Sequence, residues 1–123
     1  MGARLVAGLD IGGTKVLGAL VEVDAGGSPR VMATRQIATD PSPERLVADS
    51  AALVGELAAA SGSEVAAVGL GIPGFVDRQG IARQAPNLPS VIGVDLPGAL
   101  ADRLGRPVRA AKAAHRAARG GRS

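Results

Sequence analysis

An α/β fold is predicted for this chain, with a mixed sheet laid down in the order β-β-β-α-β-α. Apolar, β-branched runs recur three times before residue 39, separated by glycine-rich turns. A later segment repeats its apolar residues at helical spacing. A short apolar run then precedes a second helical segment.

Residues 5–10 and 16–23 read as an antiparallel pair joined by a tight glycine turn. Ala25-Gly26-Gly27-Ser28-Pro29 turns the chain into a third strand at 31–38. Pro41-Ser42-Pro43-Glu44 opens a helix, with Ser42 as its cap and Pro43 in the first helical position. Leu46, Val47, Leu53, Val54 and Leu57 follow at helical spacing, and Ser61-Gly62 ends the helix. Residues 65–70 are a buried strand leading into a Pro-Gly loop. Asp95-Leu96-Pro97 begins a second helix that runs to Leu104 and closes at Gly105, and Val108 starts another strand. No internal repeat is present, and no low-complexity linker precedes Leu104.

The densest chemistry lies at the first turn, Asp10-Ile11-Gly12-Gly13-Thr14-Lys15. A strand ending there presents backbone N–H groups, the Thr14 hydroxyl and the Lys15 ammonium to a polyphosphate, with Asp10 placed for hydrated Mg²⁺. Glycine lets the backbone approach the anion without a Cβ in the way. An ordinary hairpin turn has the same Gly-Gly composition, so both readings stand at this point.

Two familiar signatures fail. A Walker loop needs Gly-Lys-Ser/Thr opening a helix, whereas here Gly13-Thr14-Lys15 runs into the strand-like Val16-Leu17-Gly18-Ala19-Leu20. Gly69-Leu70-Gly71-Ile72-Pro73-Gly74 spells a dinucleotide fingerprint, but Phe75 to Gly80 has turn chemistry and no helical period. Pro86-Asn87-Leu88-Pro89 is a rigid polar turn, or a loop whose Asn87 amide offers a donor and an acceptor to sugar hydroxyls. Asp77 reads as a turn residue and is assigned no catalytic role.

Together, Asp10 to Lys15, Gly69 to Asp77 and Pro86 to Pro89 resemble the ROK family of bacterial glucokinase-type sugar kinases and related repressors, in order and spacing. The resemblance runs from about residue 5 to residue 108. It implies an actin-like, ribonuclease-H-like ATPase fold, of which this chain is the N-terminal lobe. It also implies that Asp10, Gly12, Gly13, Thr14 and Lys15 handle the phosphates of Mg-ATP, Asp10 reaching Mg²⁺ through water. Pro73, Gly74 and Asn87 shape the sugar pocket. The implied activity is ATP-dependent phosphorylation of a hexose such as glucose, a transferase reaction of carbohydrate metabolism.

Beyond Val108 the family pattern continues into an Asn-Asp-Ala-Asn segment whose Asp is the general base. Residues 109–123 contain no Asp, Glu or Asn, so no catalytic residue is assigned. The family's His and Cys zinc cluster and its second lobe have no counterpart, and no zinc is expected. The expectation is a kinase-like protein that is incomplete and inactive alone, needing a complementing C-terminal lobe. The alternatives are a non-catalytic remnant, or a sugar-responsive regulator lacking its DNA-binding domain. Such repressors carry that domain ahead of the phosphate motif, where only nine residues precede Asp10 here.

Charge divides the chain. Residues 1–102 hold 7 basic and 11 acidic residues, net −4, and residues 103–123 hold 7 basic and none acidic, net +7, which gives the overall +3. The 109–123 tail, rich in Ala, Arg and Gly, reads as disordered or a short helix. It resembles the ending of a frameshifted or prematurely ended gene, an expectation that resequencing the locus tests. A basic tail attracts anions without specificity, and this one has no aromatic residue for base stacking, so no specific nucleic-acid partner is expected. Solitary His115 reads as a solvated residue and not a metal ligand.

The chain has 123 residues, enough for one domain, and its only aromatic is Phe75, so Val, Leu, Ile and Ala must form the core. Zero cysteines exclude disulfides and thiol catalysis and agree with a cytoplasmic protein. No apolar run nears the ~20 residues of a membrane span, so no membrane partner is expected. The expected partners are sugar and ATP, with a homodimer as a further possibility.

Overall fold

A computed structural model describes residues 3–112. Its main sheet has five strands: β1 (Arg4–Ile11), β2 (Lys15–Val23), β3 (Pro29–Ala38), β4 (Ala67–Ile72) and β7 (Val108–Lys112). They lie in the order β3-β2-β1-β4-β7. β1 and β2 pair antiparallel, as do β2 and β3, while β4 runs parallel to β1 and β7 parallel to β4. The expected mixed sheet is present, and its parallel half aligns the carboxyl ends of β1, β4 and β7.

Helix α1 (Pro43–Ser61) covers one face. Ser42 caps it, its hydroxyl accepting from Arg45 N–H at 3.5 Å, and Gly62 closes it in the left-handed region at φ 73°. Gly18 is the seat of this helix. A Cβ there would stand 2.9 Å from Leu53 Cδ2 and 3.1 Å from Leu57 Cδ1. Leu53 and Leu57 are buried against the sheet beside Leu9, Val16 and Leu20, and each such burial contributes about 1.5–3 kcal/mol. Helix α2 (Leu96–Leu104) packs on α1 and β7. Its Asp95 cap accepts from Gly98 N–H at 2.9 Å, and Gly105 ends it at φ 67°.

The opposite face of the sheet carries no helix among the described residues. Gly8 and Gly69 sit side by side there with nothing within 4 Å of a Cβ position, and Leu17 and Val31 are exposed.

Three expectations change. The fourth strand begins at Ala67 and not at Val65, because the Val65 carbonyl accepts from Arg106 Nε at 2.8 Å. The stretch after Pro73, read as turn chemistry, holds a two-stranded sheet: β5 (Phe75–Val76) pairs antiparallel with β6 (Ala82–Gln84). The strands are too short to show a period, and Gly80 at φ 84° supplies the left-handed residue in the loop between them. The tail boundary drawn after Val108 falls inside β7, which continues to Lys112. His115 and the rest of the tail, residues 113–123, lie outside the described residues.

The core is aliphatic, and Phe75 is exposed. No helix among the described residues is long and apolar enough to cross a membrane.

Candidate functional site

Parallel α/β sheets bind ligands beyond the carboxyl ends of their strands. Here the β1–β2 turn and the Pro73-Gly74 loop leave the sheet at that end, since Asp10 pairs with Gly71 and Ile72 with Lys112. Asp10, Thr14 and Lys15 are exposed around the turn. Gly12 N–H donates to Lys15 O at 2.9 Å and closes it. Gly13 N–H and Thr14 N–H make no hydrogen bond among the described residues. Two free amides, a hydroxyl and an ammonium therefore fall within the three consecutive residues Gly13 to Lys15, a set suited to an anion.

The structure gives Gly13 a steric reason of its own. A Cβ there would stand 2.5 Å from the carbonyl oxygen of Asn87 and 3.0 Å from its Cβ. The glycine admits a neighbouring loop, and that loop is the one proposed for sugar recognition. Asn87 itself is exposed and precedes a short 3-10 turn, Pro89–Val91.

Pro73 and Gly74 join the same cluster through β6. Gly74 adopts φ 105°, and any Cβ on it would collide with the Gln84 carbonyl, with Ala85 Cα 3.2 Å away. Leu88 N–H donates to Ala85 O at 3.0 Å. Backbone contacts thus run without a gap from Gly13 through Asn87 and Ala85 to Gly74. All three motifs meet at one end of the sheet.

Asp77 organises its own loop. Its Oδ1 accepts from Gln79 N–H at 2.9 Å and Ile81 N–H at 3.0 Å, and its Oδ2 accepts from Arg83 Nε at 2.8 Å. The Ile81 bond is the chief cause holding this carboxyl below its ordinary range, with Arg83 and Gln79 adding to it against partial desolvation. It faces its own turn, in keeping with the structural role expected of it.

Sequence reasoning passed over Thr39 and Ser90. Thr39 Oγ1 donates to Gly12 O at 2.8 Å and Thr39 N–H to Thr14 O at 2.9 Å. Ser90 Oγ donates to Pro41 O at 2.6 Å. Turn composition marks both segments as loops, but no local signal announces bonds spanning 27 and 49 residues.

Comparison with known proteins identifies the family and the fold. The model of the ROK family matches residues 6–122, past Val108, where the sequence reading ended the resemblance. Glucokinase of Streptomyces coelicolor is 37% identical over 76 residues, which are 61% of this chain and 22% of that protein. This chain therefore aligns with about a fifth of that relative's length. A ROK family glucokinase from Streptomyces griseus, solved with glucose and AMPPNP, superimposes with a TM-score of 0.76 at 36% identity. That match covers 93% of this chain and 35% of the other. The inorganic polyphosphate/ATP-glucomannokinase from Arthrobacter sp. strain KM gives a TM-score of 0.74 at 30% identity, covering 89% and 44%. These sugar kinases share the actin-like ATPase fold with this α/β chain.

Proposed function

Because the chain belongs to the ROK family, whose model matches residues 6–122, we propose that it binds Mg-ATP and a hexose, glucose first, in the manner of the glucokinases it resembles. The observation that carries this reading is the seating of Gly13 on Asn87, which sets a phosphate-type turn directly against a polar loop suited to sugar hydroxyls.

On this reading the Gly13 and Thr14 N–H groups, the Thr14 hydroxyl and the Lys15 ammonium hold the phosphate oxygens. Asp10 takes Mg²⁺ through water. Among the described residues no three acidic, His or Cys side chains cluster for a metal. One carboxylate together with phosphate and water oxygens is a normal Mg²⁺ environment, so Asp10 fits. When bound, the cation neutralises charge on the phosphates. Asn87 orients the hexose by donating to and accepting from adjacent hydroxyls, with the Pro73-Gly74 loop as a fixed wall.

In-line phosphoryl transfer also needs a carboxylate to take the proton of the attacking hydroxyl. Residues 109–123, where the family pattern puts that group, hold no Asp or Glu. On this reading the residues of this chain bind both ligands while none in 109–123 takes the hydroxyl proton, so binding without transfer is expected of it.

Titration calorimetry with Mg-ATP and with glucose, beside a coupled hexokinase assay, tests this. Saturable binding of each ligand with no turnover is expected. Absence of both binding events would refute the site, and turnover by the chain alone would refute the missing-base account.

A further inference from the structure

Thr39 and Pro41, in the four-residue link between β3 and α1, touch both halves of the candidate site. Thr39 holds the two carbonyls that flank Gly13, those of Gly12 and Thr14. Two residues later, Pro41 O accepts the Ser90 hydroxyl from the turn that follows Asn87 and Leu88. Between them, Asp40 Oδ1 accepts Ser42 N–H at 2.9 Å, fastening the segment to the cap of α1. That helix is fixed in turn by buried Leu46 and Leu53. Two chain steps span at most about 7 Å, so the link cannot stretch.

The contacts close into a ring. From the β1–β2 turn it passes to Asn87 at Gly13, on to Ser90, across to Pro41, and back through Thr39 to the turn. Neither loop can shift outward without breaking a hydrogen bond or opening the Gly13 contact.

We propose that residues 39–41 form a bracket that makes the phosphate turn and the Asn87 loop move as one unit, with Thr39 and Ser90 as its positioning residues. This rests on the reading of those loops as nucleotide and sugar sites only for its consequence. Filling one loop then pre-orders the other, so that the two ligands raise each other's affinity by the same factor.

Amide hydrogen exchange on the ligand-free chain tests the bracket directly. Ser90→Ala is expected to speed exchange of the Gly12 and Thr39 amides, on the far side of the ring, about three- to tenfold, the worth of one hydrogen bond. Thr39→Val is expected to do the same to the Leu88 and Val91 amides. Thr39→Ser, which keeps the hydroxyl, should restore the native rates. The amide of buried Val68, bonded to Pro107 O in the sheet, reports global loosening and should not change. Effects confined to the substituted loop would overturn the proposal.

A second measurement separates this inference from the functional reading. With Mg-ATP and glucose as probes, Ser90→Ala should bring the glucose-dependent gain in Mg-ATP affinity to about onefold while leaving affinity for Mg-ATP alone within about twofold. A full wild-type gain in the variant overturns the bracket. Linked exchange in a chain that binds neither ligand sustains the bracket and removes the kinase reading.

Discussion

Asn87 leaves no room for a side chain on Gly13, because its carbonyl oxygen stands 2.5 Å from where a Cβ would be. The obstacle is backbone and cannot rotate aside. Gly13→Ala is therefore expected to push the two loops apart, at a cost of roughly 1–3 kcal/mol in stability. Binding of both Mg-ATP and glucose should weaken together, and calorimetric titration beside a thermal melt reads both effects. A variant that loses only nucleotide affinity would show that the loops are independent.

Lys15→Ala and Asp10→Asn should act on one ligand only. Each removes a charged partner of the phosphates or their cation, worth about 1.5–3 kcal/mol, or roughly 10- to 100-fold in Mg-ATP affinity. Glucose affinity is expected to stay within about twofold. Both side chains are exposed, so the loss should shrink as salt rises. Unchanged Mg-ATP binding in both variants would remove the phosphate assignment.

Leu53→Ala should unfold the chain at a lower urea concentration, by about 2–5 kcal/mol. Its side chain is 1% exposed and lies on Gly18, so its truncation opens a hole directly on the sheet. The denaturant midpoint reports this, and the slope of the transition should not change.

Asp77 links the β5–β6 loop to pH. Its carboxyl is held below the ordinary value by the Ile81 N–H, with Arg83 and Gln79 assisting. A lowered folded-state value means that the ionised group stabilises the fold above the unfolded-state value of about 4. That contribution is lost as pH falls below it, through the depressed folded value. The stability gap between wild type and Asp77→Asn should therefore be open near neutrality and narrow through the acid range, as urea titrations at several pH values would show. A gap independent of pH would mean that the Asp77 carboxyl is not held below its ordinary value in the folded chain.

What could be read in the sequence was what is local. Ser42, Gly62, Asp95 and Gly105 mark their helix ends because capping is decided within a turn of chain. The two antiparallel strand pairs follow from alternation and glycine turns. The β5–β6 pair escaped notice because strands of two and three residues carry no period and depend on the bonds around Asp77. Thr39 and Ser90 escaped because their partners lie 27 and 49 residues away. The composition of the turn was legible, but the contact of Gly13 with Asn87 was not, because it depends on a loop distant in sequence.

The geometry of the candidate site is set almost wholly by main-chain oxygens: those of Gly12, Thr14, Pro41 and Ala85 accept the bonds, while Gln84 and Asn87 oxygens set the close approaches. Lys15 and Asn87 point outward from that frame as exposed side chains. On the proposed reading, selectivity and scaffold are stored in different atoms, which would make the molecule retunable. If the proposed roles hold, a library randomised at positions 15 and 87 is expected to alter which anion and which polyol are preferred, with the frame beneath left as it is.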